Sequence, residues 1–284
     1  MRYISFKFKR FTYEIYNCPG RWMTAEALSD LQKRLTGIAV RRLGSRPNYS
    51  FFIDARALDN KVVTVCSREG TDYCFNAMAR IGKYRNRPVV HLGAVYSIEG
   101  NRGQMQLLYL WSSLFLLISH QFRSMYITSL THTPKIFGAV ASSYNRVFPA
   151  GRPGEAPAGF HFAIRDILMD TYVQECNLAH PPRIDDNFVL KGFRIQKDGS
   201  LLYPDTPESV PKHRREAYNN HLLSCLRYDQ GDEILQVGVM RFVDLFTNLR
   251  VFGKGGCIRI RNVFSNLNPF RRRNWREVAA ARNA

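Results

Sequence analysis

A change of periodicity between residues 89 and 119 constrains the fold of this chain more than any other feature of its sequence. The run VVHLGAVYS (89–97) is apolar and rich in valine, as expected of a buried strand. A short polar break follows, and apolar residues then recur at helical spacing over roughly 102–119. A strand that passes through a tight hinge into a long apolar helix predicts an α/β fold.

The hinge contains Gly100, Asn101, Arg102 and Gly103, followed by Gln104. Two interpretations stay open. Gly-Asn is a common turn dipeptide, so the segment can be a simple turn. Alternatively, the free N–H groups at the helix start, two glycines that leave the backbone uncovered and an arginine fork together suit a phosphate group.

The flanking segments add further helices and strands. Thr24 can cap a helix over about 25–42, in which leucines and an isoleucine repeat at helical spacing. Thr133 and Pro134 start another helix, KIFGAVASSYNRVF, which ends before Pro149. We predict an α/β (α+β) fold with a mixed, mostly antiparallel central sheet flanked by helices. Further predicted strands are 1–17, 50–58, 61–67, 71–82 and 125–132.

The connector GRPGEAPAG (151–159) is poor in apolar residues and divides the chain. We predict a core over residues 1–150 and a C-terminal extension, 151–284, that packs on this core. Within the extension, the segment 232–252 is apolar on nearly all sides. The extension closes with a basic stretch, 270–284, which is either a solvated end or a contact for an anionic partner.

The charge of the chain is unusual. Lys and Arg number 41 against 23 Asp and Glu, so the formal net charge is +18. Such a field attracts anions of several kinds: nucleic acid, an anionic membrane, an acidic acyl carrier protein or a polyphosphorylated cofactor. The sign of the charge alone does not choose among these partners.

The six cysteines include no C-x-x-C pair, which predicts reduced thiols in a cytoplasmic protein and no zinc site. No His, Cys or Asp cluster has a diagnostic metal-ligand spacing, so we predict no metal cofactor. The longest apolar window, 107–119, is short for a bilayer and contains three serines, so we expect no transmembrane segment.

The order strand, hinge, apolar helix, strand and a helix with a tyrosine in its third turn resembles the GNAT (N-acetyltransferase-like) acyltransferase superfamily. The resemblance covers about residues 24–149, and SYNRVF matches the family's last helix through Tyr144 and Phe148. The family's hinge pattern is Arg or Gln, two residues, Gly, one residue, then Gly or Ala. Two registers stay open here, one starting at Arg102 and one with Gly103 as the central glycine.

The resemblance implies an acyl-CoA site. The hinge backbone would hold the diphosphate of acyl-CoA, and strand 89–97, Val95 included, would offer its backbone to the pantetheine amides. That strand and strand 125–132 would diverge and leave a V-shaped slot. The hinge residues implied in this binding are Gly100, Asn101, Arg102, Gly103 and Gln104.

The resemblance also implies catalytic roles. Tyr144 would protonate the departing thiolate, although from the residues alone it fits equally well on a core stripe with Phe137 and Ala141. His132, at the end of a strand, or His91, in the strand before the hinge, would deprotonate an amine. Both histidines also have ordinary interpretations, His91 as a buried, hydrogen-bonded side chain and His132 as a loop residue.

We therefore expect an N-acyltransferase that moves an acyl group from acyl-CoA, or from an acyl carrier protein, to a small-molecule or peptide amine. The alternative is a non-enzymatic protein on a catalytically degenerate acyltransferase fold that uses its basic surface to bind nucleic acid or a protein partner. The charge of +18 is compatible with either.

Overall fold

A computed structural model describes residues 1–245, apart from residues 45, 48, 49, 99–101, 122, 177 and 203. The side chains at 55, 102–104 and 106 also lie outside this description. The predicted basic tail, 270–284, therefore lies outside the described residues.

The chain mixes strands and helices, with runs of consecutive strands as well as strands separated by helices. The strands are β1 (Tyr3–Phe8), β2 (Phe11–Asn17), β3 (Lys61–Arg68), β4 (Thr71–Tyr84), β5 (Arg87–Ser97), β6 (Met125–Thr131), β7 (Asn145–Phe148), β8 (Arg183–Ile184), β9 (Val189–Lys191) and β10 (Glu233–Met240). The helices are α1 (Ala25–Leu43), α2 (Ser50–Ile53), α3 (Arg102–Ser119), α4 (Pro134–Ser143), α5 (Gly159–Asp170) and α6 (Glu216–Cys225), with short 3-10 helices at Pro19–Arg21 and Ala55–Leu58.

Within the described residues, all ten strands belong to one sheet, in the order β1-β2-β3-β4-β5-β6-β10-β9-β8, with β7 also beside β10. Every pairing is antiparallel except that of β5 with β6, which is parallel. The predicted α/β class, with a mixed, mostly antiparallel sheet flanked by helices, is confirmed.

Helices cover both faces of the sheet. Side chains alternate between the faces along each strand, so in β3 Val62 packs in the cluster that contains α3 while Val63 packs in the cluster that contains α1. The second half of the sheet is covered by α4 and α6 on the α3 side and by α5 on the α1 side.

Helix α1 forms as its sequence predicts. The hydroxyl of Thr24 accepts a hydrogen bond from the backbone N–H of Ala27, and Gly44 ends the helix in the left-handed conformation at φ +79°. These are the N-terminal and C-terminal caps that helices favour. The apolar stripe of α1 is buried as expected, and its members are Leu28, Leu31, Leu35 and Ile38.

The strand predicted over residues 50–58 is wrong. This segment forms α2 and the second 3-10 helix instead. Phe51 and Phe52 are consecutive and both pack in the α1 cluster, whereas a strand would send them to opposite faces. The carboxylate of Asp54 accepts a hydrogen bond from the N–H of Arg56 and caps the 3-10 turn. This cap stabilises the helical conformation of the segment.

The helix predicted to extend toward Pro149 ends earlier than expected. Helix α4 stops at Ser143, and Tyr144 occupies its C-cap in an extended conformation. Residues 145–148 then pair with β10 as β7, with Phe148 opposite Val237. Pairing with an inner strand satisfies the backbone groups that a longer helix would have satisfied internally, so tertiary contacts override the local pattern.

The apolar segment that begins at residue 232 forms β10, which lies between β6 and the short strands β7 and β9. Both faces of an inner strand are covered, which explains an apolar pattern without alternation. The predicted division at residue 150 stays a prediction, and the sheet extends across it because β10 pairs with β6 from Met125 to Thr131.

Candidate functional site

The parallel pair β5–β6 opens into a slot. The two strands pair from Val89 opposite Tyr126 to His91 opposite Thr128. Beyond this point β5 continues to Ser97, still paired with β4, and β6 continues to Thr131, still paired with β10. We call the gap between residues 92–97 of β5 and 129–131 of β6 the β5–β6 slot. His91 and Thr128 lie at its vertex, and the main-chain groups on its two inner edges are not used in β5–β6 pairing.

Gly93 marks the point where β5 turns away from β6. Its φ is +61°, and a Cβ atom placed there would lie 1.9 Å from the carbonyl oxygen of Ala77. The register of β4 against β5 also shifts between Ala77 and Ala79, which identifies a bulge. A bulge bends its strand and increases the local twist, so glycine at this position allows the slot to form.

The predicted hinge follows the far end of β5. Gly100 and Asn101 lie outside the described residues, but α3 begins at Arg102 and includes Gly103 and Gln104 in its first turn. The N-terminal amides of a long helix therefore follow directly after the strand that forms one edge of the slot. That these residues bind a diphosphate, and that Val95 offers its backbone to a bound chain, stay predictions.

His91 is buried at the vertex, with 3% of its surface exposed. Its Nδ1 lies 3.0 Å from the hydroxyl of Thr128 across the two strands, and its ring lies against the ring of Tyr172, with 4.1 Å between the centroids. Burial, and secondly the charge of Lys61, lower the pKa of His91 to about 3. The imidazole is therefore neutral at physiological pH and is a weak base.

An ion pair between a buried lysine and an exposed glutamate lies next to this histidine. Lys61, at the start of β3, has only 2% of its surface exposed, and its Nζ donates to Glu175 Oε2 at 2.8 Å and to Asn60 Oδ1 at 2.6 Å. The ammonium group also lies over the ring of Tyr172, 5.5 Å from the centroid. Lys61 thus brings a fixed positive charge close to the vertex.

His132 follows the last residue of β6, on the opposite edge of the slot from β5, and contacts two carboxylates. Its Nδ1 lies 3.0 Å from Glu233 Oε1, and its Nε2 lies 2.8 Å from Asp205 Oδ2. Burial by itself would lower the pKa of His132, but the hydrogen bonds to Asp205 and Glu233 and the charge of Glu233 raise it. These contacts favour the imidazolium form and use both ring nitrogens.

Tyr144 lies at the end of α4 and packs in the α3 cluster. The next residue, Asn145, pairs with Val239 of β10. On its other side Val239 pairs with Tyr126 of β6, which lies two residues before the vertex residue Thr128. Burial raises the pKa of Tyr144 to about 12, a hydrogen bond with Ser113 of α3 opposes the shift, and Asp244 adds to it. The phenol is therefore protonated at neutral pH.

The structure adds four polar residues that sequence patterns did not indicate, namely Lys61, Glu175, Asp205 and Glu233. Lys61 and Glu233 each begin a strand, where a charged residue is normally exposed, and no sequence signal shows that they are buried. Asp205 is 73 residues from His132 along the chain, and Glu233 is 101 residues away. The pairing of β6 with β10 brings Glu233 to His132, and Asp205 reaches it from outside both strands.

Two other kinds of site are absent from the part of the chain that the structure describes. No group of three or more His, Cys, Asp or Glu side chains there is arranged to hold a metal ion. Across the same residues, none of the helices combines the length and the apolar character that a membrane crossing needs.

The candidate site thus consists of a parallel strand pair whose pairing stops at His91 and Thr128, in an α/β protein in which a long helix follows one of the two strands. No protein-family model matches the chain, and no curated protein matches it. Among solved structures, the ribosomal-protein-S5-alanine acetyltransferase of Vibrio fischeri is similar at 9% sequence identity and a TM-score of 0.30, over 44% of this chain and 73% of that one. A likeness at this level carries no argument about activity, so a proposal of function depends on the geometry of the slot alone.

Proposed function

We propose that the protein is an acyltransferase that moves an acyl group from acyl-CoA, or from an acyl carrier protein, to the amine of a small molecule or peptide. The observation that carries this proposal is the β5–β6 slot. Its strand edges are not paired with each other, and α3 follows the strand that forms one of them. An extended arm with amide groups and a terminal diphosphate is complementary to these two features.

Within this proposal the donor's pantetheine arm binds along residues 92–97, including Val95, and its diphosphate binds at Gly100 to Gln104. The acyl thioester then lies near the vertex formed by His91 and Thr128. Acyl-CoA is the co-substrate, and no metal takes part.

Tyr144 is proposed as the acid that protonates the departing thiolate, and its raised pKa keeps it in the required protonated form. Of the two proposed bases, His91 is the one that is neutral at pH 7 and can accept a proton, although weakly. His132, the other proposed base, lies at the edge of the slot, and it can accept a proton only in its neutral form, which its two carboxylate contacts disfavour.

Calorimetric titration with acetyl-CoA and with a longer acyl-CoA tests the donor site. We expect saturable binding of at least one of them, and release of free CoA when a mixture of amines is added. If neither donor binds, the proposal is wrong.

The role of Tyr144 is tested by Tyr144→Phe, which removes one hydroxyl. As a general acid, Tyr144 contributes about 100-fold or more to turnover, so we expect a loss of that size. Tyr109→Phe is the matched control, because Tyr109 lies on α3, and its pKa is raised first by burial and then by the charge of Tyr144. Equal turnover in both variants would remove the assigned role.

A second candidate is a basic binding protein on a degenerate acyltransferase fold, with nucleic acid or another anionic partner. The net charge of +18 favours it, and so do the ring nitrogens of His132, both of which already have carboxylate partners. Retention of RNA on the immobilised protein, without any binding of acyl-CoA or of an acyl carrier protein, would select this candidate.

A further inference from the structure

Residues 73–154 are strongly basic. This stretch contains nine Lys and Arg residues and one acidic residue, Glu99. Four of the basic residues fall close together where β4 turns into β5, at the end of β5 opposite to the hinge. These four are Arg80, Lys83, Arg85 and Arg87.

The segment after α3 closes on this turn. The guanidinium of Arg87 donates to the hydroxyl of Ser124 at 2.9 Å. His120, which follows the last residue of α3, lies close enough to Arg80 and Lys83 that their charges, after burial, lower its pKa. We call the group formed by Arg80, Lys83, Arg87 and His120 the basic corner.

Two side chains of the basic corner have shielded donors without acceptors. Nε and Nη2 of Arg80 and Nε2 of His120 are shielded from solvent and have no hydrogen-bond partner in the structure. A shielded donor without a partner is unfavourable, and more so when it is charged, so such groups are uncommon in folded proteins. An acceptor that bridges the guanidinium and the imidazole would remove this cost.

Arg80 forms no ion pair with a carboxylate in the part of the chain that the structure describes. Burial lowers the pKa of Arg80 most, Cys18 raises it and Arg21 lowers it further. Among the residues that the structure describes, no carboxylate contributes to this pKa. The basic corner therefore brings several basic side chains together, and none of them forms an ion pair with Arg80.

We propose that the basic corner binds a phosphate group, with the Nε and Nη2 atoms of Arg80 as a bidentate fork and with His120 and Lys83 as further donors. Arginine presents this edge to phosphate oxygens in a fixed planar geometry. Arg80 as a whole is partly exposed, so solvent reaches part of this side chain.

This site is separate from the proposed acyl-donor site. Arg80 pairs with Val90 in the sheet, and the eight residue steps from Val90 to Ile98 span about 25 Å of extended strand before the hinge. The phosphate of the basic corner and the diphosphate of an acyl donor therefore do not compete. Phosphate binding that persists in the presence of saturating acetyl-CoA distinguishes the two proposals.

The test is a calorimetric titration with inorganic phosphate at constant ionic strength, on the wild-type protein, Arg80→Met and Arg68→Met. Arg68→Met is the control. It removes the same charge, but from an arginine that already pairs with its neighbour Glu69, 3.1 Å away. We expect saturable binding that Arg80→Met weakens by about tenfold or more and Arg68→Met leaves unchanged.

Thermal unfolding separates this role from a structural one. Without phosphate, Arg80→Met should keep or raise the unfolding midpoint, because it removes a poorly satisfied cation from a shielded position. Phosphate should raise the midpoint of the wild type and leave that of Arg80→Met unchanged. The proposal is overturned if phosphate does not bind, or if it binds the wild type and Arg80→Met equally.

The exposed Lys83 decides the question if Arg80→Met does not fold. In Lys83→Gln, phosphate binding weaker by about threefold supports the proposal, and an unchanged Kd overturns it. A parallel titration with a short single-stranded RNA identifies the source of the phosphate. RNA binding that phosphate displaces points to a nucleic-acid backbone, and phosphate binding alone points to a small phosphorylated ligand.

Discussion

The vertex and the outer edge of the β5–β6 slot each contain a buried histidine, and the two environments tune that side chain in opposite directions. His91, at the vertex, has a hydroxyl and an aromatic ring as neighbours and a cation nearby, so its neutral form is favoured. His132, at the end of β6, contacts two carboxylates, so its charged form is favoured. Burial acts on both in the same sense, and the neighbours decide the outcome.

The largest effect that tests this comparison is the loss of the cation between two carboxylates. His132→Leu leaves the buried Glu233 without its partner, and removal of one member of a buried ion pair costs about 3–5 kcal/mol. We expect a loss of this size in the free energy of unfolding, measured in urea. The control is His180→Leu at an exposed histidine, and an equal loss there would contradict the role of the carboxylates.

The next effect concerns the bend at the vertex. Gly93→Ala adds a methyl group that would overlap the carbonyl oxygen of Ala77, at a left-handed φ. We expect a loss of about 3 kcal/mol, against about 1 kcal/mol for Gly70→Ala, because Gly70 also has a positive φ but no atom within 4 Å of the added methyl. Urea unfolding measures both, and equal losses would mean that the bulge is not tightly packed.

The third effect is the response of His91 to acid. Its folded pKa lies below the unfolded value of about 6.5, so the unfolded state binds the proton more tightly and stability falls as the pH drops below this value. We expect a loss of about 2–3 kcal/mol between pH 6.5 and 4.5 that is absent in His91→Asn, which stays neutral. Denaturation at a series of pH values measures it, and parallel curves would contradict the assignment.

The smallest effect has the opposite sign and concerns His132. Its folded pKa lies above the unfolded value, so its contribution to stability is complete below about pH 6.5 and is lost as the pH rises through the folded pKa. We expect the wild type to lose stability over this alkaline range relative to His132→Leu. A constant difference between the two proteins from pH 6 to pH 9 would show that His132 does not become charged on folding.

The sequence predicted the parts of this site that depend on local patterns. Helix α3 begins and ends where the periodicity indicated, and β5 and β6 follow from their apolar runs. The tyrosine at position 144 shows the limit, because the helical stripe that contained it ends at Ser143, where pairing with β10 takes over.

The contacts of the two histidines could not be predicted, because their partners are distant in sequence. Thr128 lies 37 residues from His91, and Glu233 lies 101 residues from His132. Contacts between residues so far apart along the chain leave no periodic pattern in the sequence. Strand order sets both contacts, and strand order depends on the whole chain.

The position of β10 has a consequence for biosynthesis. It enters the sheet between β6 and β9, although many residues separate it from β6 along the chain. Until a ribosome has released residues 233–240, the hydrogen-bonding edge of β6 is open to strands of other nascent chains. We therefore expect a fragment that stops before β10 to aggregate more readily than the full chain, since its β6 edge is unpaired.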